Sequence, residues 1–372
     1  MKIINAKVYT EEGIFKETDI HVDQDKIVAY DNQDGVVIDG TGCYAIPGLT
    51  DIHFHGCVSY DFCDGTQEAI SHMARYEASV GVTTIVPATM TLSEEQLAKV
   101  CLAAKEYDNA EGAILCGINM EGPFIAESKK GAQNPAYILK PDAAMFDRLN
   151  QLSGGMIKLV AIAPETEGAM DFIRRKKGEV VLSIAHTACD YDTAKQALQQ
   201  GASHVTHLYN AMNPYTHRAP GPIGAAAEDK SCEAELICDG VHIHGAAVRV
   251  TFQMFGDDRI ILISDSMMAT GMPDGQYALG GQAVTVKGNL ATLADGTIAG
   301  SATNLMDGVR VAVQQMGIPL ESAIKCAAVN SAKSVEIYDK YGSITPGKVA
   351  NIVLLREEDL ALSRVILKGK EQ

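Results

Sequence analysis

Five short apolar runs in this chain each stop at residues able to bind a metal or carry a proton. They are Asp51-Ile52-His53-Phe54-His55, Met120-Glu121-Gly122-Pro123, Ile184-Ala185-His186-Thr187, Val205-Thr206-His207-Leu208 and Ile263-Ser264-Asp265-Ser266. Imidazole and carboxylate are donors that divalent ions such as zinc accept. A divalent ion lowers the pKa of water from its bulk value toward roughly 7, which makes a nucleophile available at neutral pH. A carboxylate outside the coordination sphere can then move the proton. The set reads as a metal site plus one free carboxylate.

Each of these residues has an ordinary structural explanation when taken alone. His53 and His55 are two apart, so on a strand both imidazoles face one side and could meet one ion. An isolated pair of that spacing would more simply be a polar strand end. Glu121 before Gly122-Pro123 could be a turn residue or a cap. A single His186 or His207 closing a buried strand would be a hydrogen-bonded core histidine, and Asp265 could cap a helix. Their recurrence at equivalent places in successive units favours chemistry. The remaining histidines do not share that placement. His21 falls in the N-terminal β region, His72 within a helix and His204 early in the strand that ends at His207, so all three are assigned to structure or surface; His217 and His244 stay unassigned.

Those strand ends must be carried by repeated βα units. Gln67–Val80 has helical spacing and stops at Gly81, and Thr83–Val86 then reads as a strand. Ser93-Glu94-Glu95-Gln96 is a capping box opening a helix toward Glu106. Ala113–Met120, Leu159–Ala163, Val180–Ala185, Ser203–Thr206 and Ile260–Ser264 are apolar strands, and Asp192–Gln200 is a helix ended by Gly201. Strands apolar throughout imply a parallel sheet covered on its outer face. The repeat count suits a closed (β/α)8 TIM-like barrel, whose active sites lie at the C-terminal ends of the strands.

Both ends of the chain differ from this middle. Met1–Tyr9 reads as a strand, and Ile20–Val22, Lys26–Ala29 and Val36–Ile38 are further short β runs. Near the C-terminus, the turn Ser343-Ile344-Thr345-Pro346-Gly347-Lys348 leads into strands at Asn351–Leu355 and Arg364–Leu367. The expected organisation is a small β-sandwich from residues 1–46 and 341–372 bracketing a catalytic barrel over 47–340.

Composition narrows the class. The chain has 372 residues, 47% of them hydrophobic and 21% charged, enough to bury a large core. The N-terminus lacks the apolar h-region of a signal peptide, and no apolar run is long enough to span a bilayer. Nine scattered cysteines with no C-x-x-C pair suit a reducing cytoplasm. A net charge of −16 argues against nucleic-acid and membrane partners, and an anionic substrate would need a local positive cluster. No nucleotide-binding glycine motif and no G-x-S-x-G occurs, so neither a doubly wound nucleotide fold nor a serine nucleophile is indicated.

Taken with His207-Leu208-Tyr209-Asn210-Ala211-Met212, Asp239-Gly240-Val241-His242 and Lys129-Lys130-Gly131-Ala132-Gln133-Asn134-Pro135, these residues resemble the N-acetylglucosamine-6-phosphate deacetylases of the amidohydrolase superfamily. The similarity runs nearly end to end. It implies Glu121, His186 and His207 as principal metal ligands, with His53 and His55 available to a further ion, and Asp265 as general base and acid. It implies backbone contacts to the sugar phosphate from Asn210 and Ala211, phosphate ligands in Arg218 and His242, and a lining loop at Ile298-Ala299-Gly300. Ala132, Gln133 and Asp239, within the same motifs, join the candidate substrate contacts. The implied cofactor is one or two divalent ions per chain, zinc with iron, manganese or cobalt as alternatives. The implied partner is a small-molecule amino-sugar phosphate. In that family the matching arginine reaches the neighbouring subunit's active site, which implies a homodimer with shared sites.

Two departures carry information. Enterobacterial relatives lack the H-x-H histidines and have a carbonyl-polarising histidine where this chain has Gln133, so this chain resembles some Gram-positive relatives instead. That combination points to a second ion bridged by Glu121. Asn351 stands where relatives usually have Asp, in the terminal β region. Three rival readings use the same features: a deacetylase for the galactosamine epimer, a cyclic-amide hydrolase, and an inactive sugar-phosphate-binding scaffold. Cyclic-amide hydrolases typically bridge two ions with a carboxylated lysine, whereas Glu121 holds the equivalent strand end here.

Overall fold

A computed structural model of the chain describes residues 1–30 and 35–372. Its centre is a TIM-like barrel made of parallel strands that are buried almost throughout. Six of them lie side by side in chain order: Ile118–Met120, Ile157–Ile162, Val181–Ile184, His204–Val205, Glu233–Ile237 and Ile260–Ile263. A second parallel group holds Leu49–Asp51, Val82–Ile85 and Ile114–Leu115. The two groups meet at both edges. On one side Ala88 bridges Asn119 in parallel. On the other, Asp265 N donates to His53 O at 2.9 Å and His55 N donates to Ser266 O at 2.7 Å.

Helices lie between the strands and their starts are signalled locally. Thr66, Ser93, Asp142, Asp190 and Asn304 each accept a main-chain N–H from the first turn of the helix that follows. Ser93 and Gln96 form the reciprocal capping box expected from sequence.

The run Ala113–Met120 is not one strand. Ile114–Leu115 pairs with Val82–Ile85, and Ile118–Met120 pairs with Ile157–Ile162. The break falls at Gly117, where a Cβ would stand 2.4 Å from Lys158 Cγ. Met1–Tyr9 also divides in two. Asn5 has φ +62°, so Lys2–Ile4 joins a four-stranded sheet while Lys7–Tyr9 joins a six-stranded one.

The six-stranded sheet takes its strands from both ends of the chain, in the order Lys370–Glu371, Leu362–Leu367, Ile352–Arg356, Cys43–Pro47, Lys7–Tyr9 and Phe15–Glu17. Ile3, Val22 and Ile38 from the other sheet pack with Val8, Ala45, Ile352 and Ile366 in a separate apolar core. A β domain distinct from the barrel is therefore built from both termini. Asn351 lies in it, buried, its Oδ1 accepting Lys368 N at 2.9 Å.

One element was not anticipated. Gly275–Leu279, Gln282–Lys287 and Leu290–Thr292 form an antiparallel three-stranded sheet. Gln282 Nε2 donates to Ala132 O, so this sheet is tied to the loop that follows Glu121.

Candidate active site

The barrel strands end abruptly at the residues singled out by sequence. His186, His207 and Asp265 have φ of +43°, +28° and +51°, a left-handed backbone that non-glycine residues seldom adopt. Such conformations cost on the order of 1–3 kcal/mol each and persist where the surroundings hold them. The turn at Asp265 brings its carboxylate to His55, and those at His186 and His207 swing their side chains from the ends of buried strands toward one point.

That point is the Glu121 carboxylate. His186 Nε2 and His207 Nε2 each stand 3.0 Å from Glu121 Oε1 and 3.2 Å from one another. His53 Nε2 lies 3.5 Å from the same oxygen. His55 Nε2 lies 3.3 Å from Glu121 Oε2 and 3.3 Å from Asp265 Oδ1. All six side chains are nearly or wholly buried. His53 and His55 lie just past the assigned end of the Leu49–Asp51 strand, yet they keep one-sided spacing because the extended chain there bonds to the Asp265 segment.

The donors fit a divalent ion. A tetrahedral ion with bonds of about 2.0–2.1 Å spaces its ligands roughly 3.3–3.4 Å apart. Glu121 Oε1 and the Nε2 atoms of His186 and His207, separated by 3.0 to 3.2 Å, are close to that, and His53 Nε2 stands 3.5 Å from the same oxygen. Among the described residues, two overlapping groups have donors mutually within 4.8 Å: His53, Glu121 and His207, and His53, His55 and Asp265. His53 Nε2 is buried with no hydrogen-bond partner, which suits a nitrogen meant for a metal. His186 Nδ1 donates to Lys129 O at 2.8 Å, which leaves its Nε2 lone pair facing Glu121.

The electrostatics are dominated by mutual pairing. Burial would raise the Glu121 carboxyl, but His53, His186 and His207 hold it well below its usual range. Burial likewise opposes ionisation of Asp265, and the hydrogen bond from His55 with the nearby His53 and His207 holds it low. Burial would lower the His55 imidazole, yet Asp265 and Glu121 push it up to about 10. A cation placed among these groups meets carboxylates already ionised.

A cavity of 520 Å³ opens over this cluster. His55, Glu121, His186, His207 and Asp265 form part of its wall. So do Ala132, Gln133, Asn210, Ala211, His242, Ile298 and Gly300. His53 and Ala299 are fully buried behind that wall. Gln133 is committed on both sides of its amide: Oε1 accepts Thr91 N at 2.6 Å and Nε2 donates to Glu121 Oε2 at 2.7 Å. Its polar atoms steady Glu121.

Asp239 faces His242 and does not line the cavity. It accepts His242 Nδ1 at 2.7 Å and the main-chain N–H groups of Val241 and His242, each at 2.9 Å. Burial favours neutral His242, but Asp239 outweighs it and raises the imidazole above its ordinary value. The imidazole lines the cavity with its Nδ1 side held by Asp239.

Arg218 is the candidate that this single chain does not bring to the site. It is exposed, its Nη1 2.6 Å from His217 Nε2, and it lines a separate hollow with Tyr191, Asn213 and Pro220. Among the described residues, the lysines on the cavity wall are Lys129 and Lys130. Sequence reasoning did not assign them individually.

It also missed Glu235 and Asp51. Glu235, wholly buried, accepts His53 Nδ1 at 2.9 Å and His207 N at 3.0 Å. The available signal was one charged residue inside the apolar run Ala234-Glu235-Leu236-Ile237-Cys238. Asp51 accepts Ser264 Oγ at 2.5 Å and His53 N at 3.1 Å, which joins the two strands whose extensions carry His53 and Asp265. Burial pushes the Asp51 carboxyl up to about 7.

A family model described as the amidohydrolase family matches residues 44–371. The chain is 38% identical to the N-acetylglucosamine-6-phosphate deacetylase of Bacillus subtilis (strain 168), over 84% of this chain and 81% of that protein. It is 32% identical to the N-acetylgalactosamine-6-phosphate deacetylase of Escherichia coli O157:H7, over 98% and 97% respectively. Among solved structures it resembles an Asp-to-Ala mutant of N-acetyl-D-glucosamine-6-phosphate deacetylase from Mycobacterium smegmatis in complex with N-acetyl-D-glucosamine-6-phosphate. That likeness has a TM-score of 0.93 at 30% identity and covers 100% of this chain and 98% of the other.

Proposed function

This chain belongs to the amidohydrolase family, and from that premise we propose that it hydrolyses the acetamide of N-acetyl-D-glucosamine 6-phosphate to glucosamine 6-phosphate and acetate. The observation that carries the reading is the convergence of Glu121, His186, His207 and Asp265 in one cavity that also presents Asn210, Ala211 and His242. An amide is a poor electrophile with a poor leaving group, so the site must polarise the carbonyl, activate water and deliver a proton. A divalent ion, when bound, supplies Lewis acidity and a lowered water pKa.

The residues of the chain do the rest. Glu121, His186 and His207 would hold the ion, and His53 and His55, together with Glu121, would hold a second one. Asp265, ionised and facing the cavity, takes a proton from the attacking water and returns it to the departing amine. Main-chain groups of Asn210 and Ala211 fix the sugar phosphate, and His242, its Nδ1 held by Asp239, turns the rest of its ring toward the phosphate. Ile298 and Gly300, on the segment following the antiparallel insert, close one side and limit water entry. We assign zinc to the site, with iron, manganese and cobalt as the alternatives to be tested.

The same reading extends to the rest of the molecule. The two parallel groups are taken as one closed (β/α)8 barrel over 47–340, with a β-sandwich from 1–46 and 341–372. All nine cysteines are free thiols, which supports a reducing, cytoplasmic setting.

A deacetylation assay of the metal-reconstituted protein tests the function. Turnover should be fastest on the 6-phosphorylated glucosamine derivative and much slower on unphosphorylated N-acetylglucosamine. A higher kcat/KM on the galactosamine epimer would transfer the substrate assignment to that sugar. Hydrolysis of neither phosphorylated epimer would overturn the reading.

The phosphate tests assembly. A dianion approaching a chain of net charge −16 must be recognised locally. Arg218 offers a planar fork suited to phosphate but is turned away from its own cavity, so we assign it to the cavity of a neighbouring subunit in a homodimer. Arg218→Ala should raise KM for the 6-phosphate by roughly 10- to 100-fold while barely affecting the unphosphorylated sugar. Mixing Arg218→Ala with Asp265→Asn should recover about a quarter of wild-type activity at statistical exchange, because each heterodimer holds one intact site. No recovery despite demonstrated subunit exchange would rule out sharing.

A further inference from the structure

Glu235 sits in the middle of the barrel strand Glu233–Ile237, with no exposure to solvent. A buried carboxylate costs several kcal/mol of desolvation unless it is well partnered. Here a single oxygen, Oε2, accepts both His53 Nδ1 at 2.9 Å and the main-chain N–H of His207 at 3.0 Å. Its other oxygen faces His204 Nε2 at 3.5 Å. The two bonded groups belong to different parts of the barrel. His207 follows the neighbouring strand His204–Val205, whereas His53 follows Leu49–Asp51, which lies beyond Ile260–Ile263 on the other side. The carboxylate therefore reaches across the barrel interior to hold two ligand-bearing segments at once.

The bond to His53 also decides the tautomer. With Nδ1 donating to Glu235, the Nε2 lone pair is left pointing at Glu121, and that Nε2 has no hydrogen-bond partner of its own. His53 is the one residue common to both groups of donors that could hold an ion. We infer that Glu235 is a positioning residue that builds the second metal position by orienting His53. This rests on the two-ion reading above. Gln133 steadies the opposite side of the site through Glu121, so that carboxylate and the histidine facing it are each fixed by a buried partner.

The test counts ions and measures their affinity, independently of turnover. Reconstituted wild type should hold two divalent ions per chain by elemental analysis. Glu235→Ala should hold one after dialysis, its affinity for the second ion lowered by about 100-fold, the upper end for loss of a ligand's outer partner. If that variant does not fold, Glu235→Leu fills the same volume without the acceptor. Glu235→Gln keeps an oxygen for the two hydrogen bonds but loses the charge, and should weaken the second ion by about tenfold. Adding Glu235→Leu to His53→Ala should weaken it no further, since both act on one ligand. Wild-type ion count and affinity in Glu235→Gln and in whichever of the other two folds would overturn the inference, leaving Glu235 a purely structural clamp. One ion per wild-type chain would instead overturn the two-ion reading, and with it the position Glu235 is inferred to build.

Discussion

Asp265→Asn is expected to lower kcat by about 10²- to 10⁴-fold, the range for loss of a general acid–base group, while metal content and fold stay as in wild type. The reason lies in what asparagine keeps and what it removes. It has the same shape as aspartate and tolerates the left-handed backbone that Asp265 adopts at φ +51°. The bond from Asp265 N to His53 O and that from Ser301 N to Asp265 O involve only main chain and should survive. The carboxylate is lost. In wild type the hydrogen bond from His55 and the surrounding imidazoles overcome burial and keep Asp265 ionised below its usual range, ready to take a proton. An amide cannot accept and return that proton. Steady-state kinetics on the phosphorylated substrate, with metal analysis on the same sample, would check this. Near-normal turnover would move proton transfer to another group.

The contrast between Asp265 and Glu235 shows what the sequence discloses and what it hides. Asp265, His186 and His207 each terminate an apolar run, so a change of residue type marks the end of a buried strand, where barrel sites lie. His53 and His55 are legible by spacing even though the assigned strand stops at Asp51. Glu235 acts through residues 182 and 28 positions away, and nothing local to its strand announces them. Asp51 is similar, because its partner Ser264 is brought to it only when the last barrel strand meets the first.

Boundaries failed where one run serves two partners. Gly117 and Asn5 each let the chain change neighbours, and hydrophobicity alone does not register such a switch. The antiparallel insert was hidden for another reason. Gln282–Lys287 alternates buried and exposed residues, but its buried side faces the rest of the fold through contacts that only the folded chain creates. Gln133 and Asp239 lie in motifs whose resemblance points to substrate. Their polar atoms are engaged by Glu121 and Thr91, and by His242, which is a matter of side-chain direction that spacing does not resolve.

On the proposed mechanism a divalent ion held by the Glu121 cluster underlies every other step, and its removal should have the second large effect. His186→Ala or His207→Ala is expected to release the ion from the Glu121 cluster and lower activity by at least about 10²- to 10³-fold, the equivalent of several kcal/mol of lost transition-state stabilisation. Both Nε2 atoms stand 3.0 Å from Glu121 Oε1, nearer than His53 Nε2 at 3.5 Å. Taking one away leaves the buried Glu121 with one hydrogen-bond partner fewer, so the variant loses the donor and also part of what keeps the carboxylate ionised. Alanine is strained at φ +43° and +28°, so His186→Asn and His207→Asn serve as controls with a better-tolerated backbone. Metal content, circular dichroism and kcat/KM measured on one preparation separate loss of the ion from loss of the fold. Metal and activity should fall together in all four variants, and activity should return only as far as added ion is rebound. An enzyme fully active after exhaustive chelation, with metal below detection, would remove the ion from the reaction and leave the buried histidines as structural pairs.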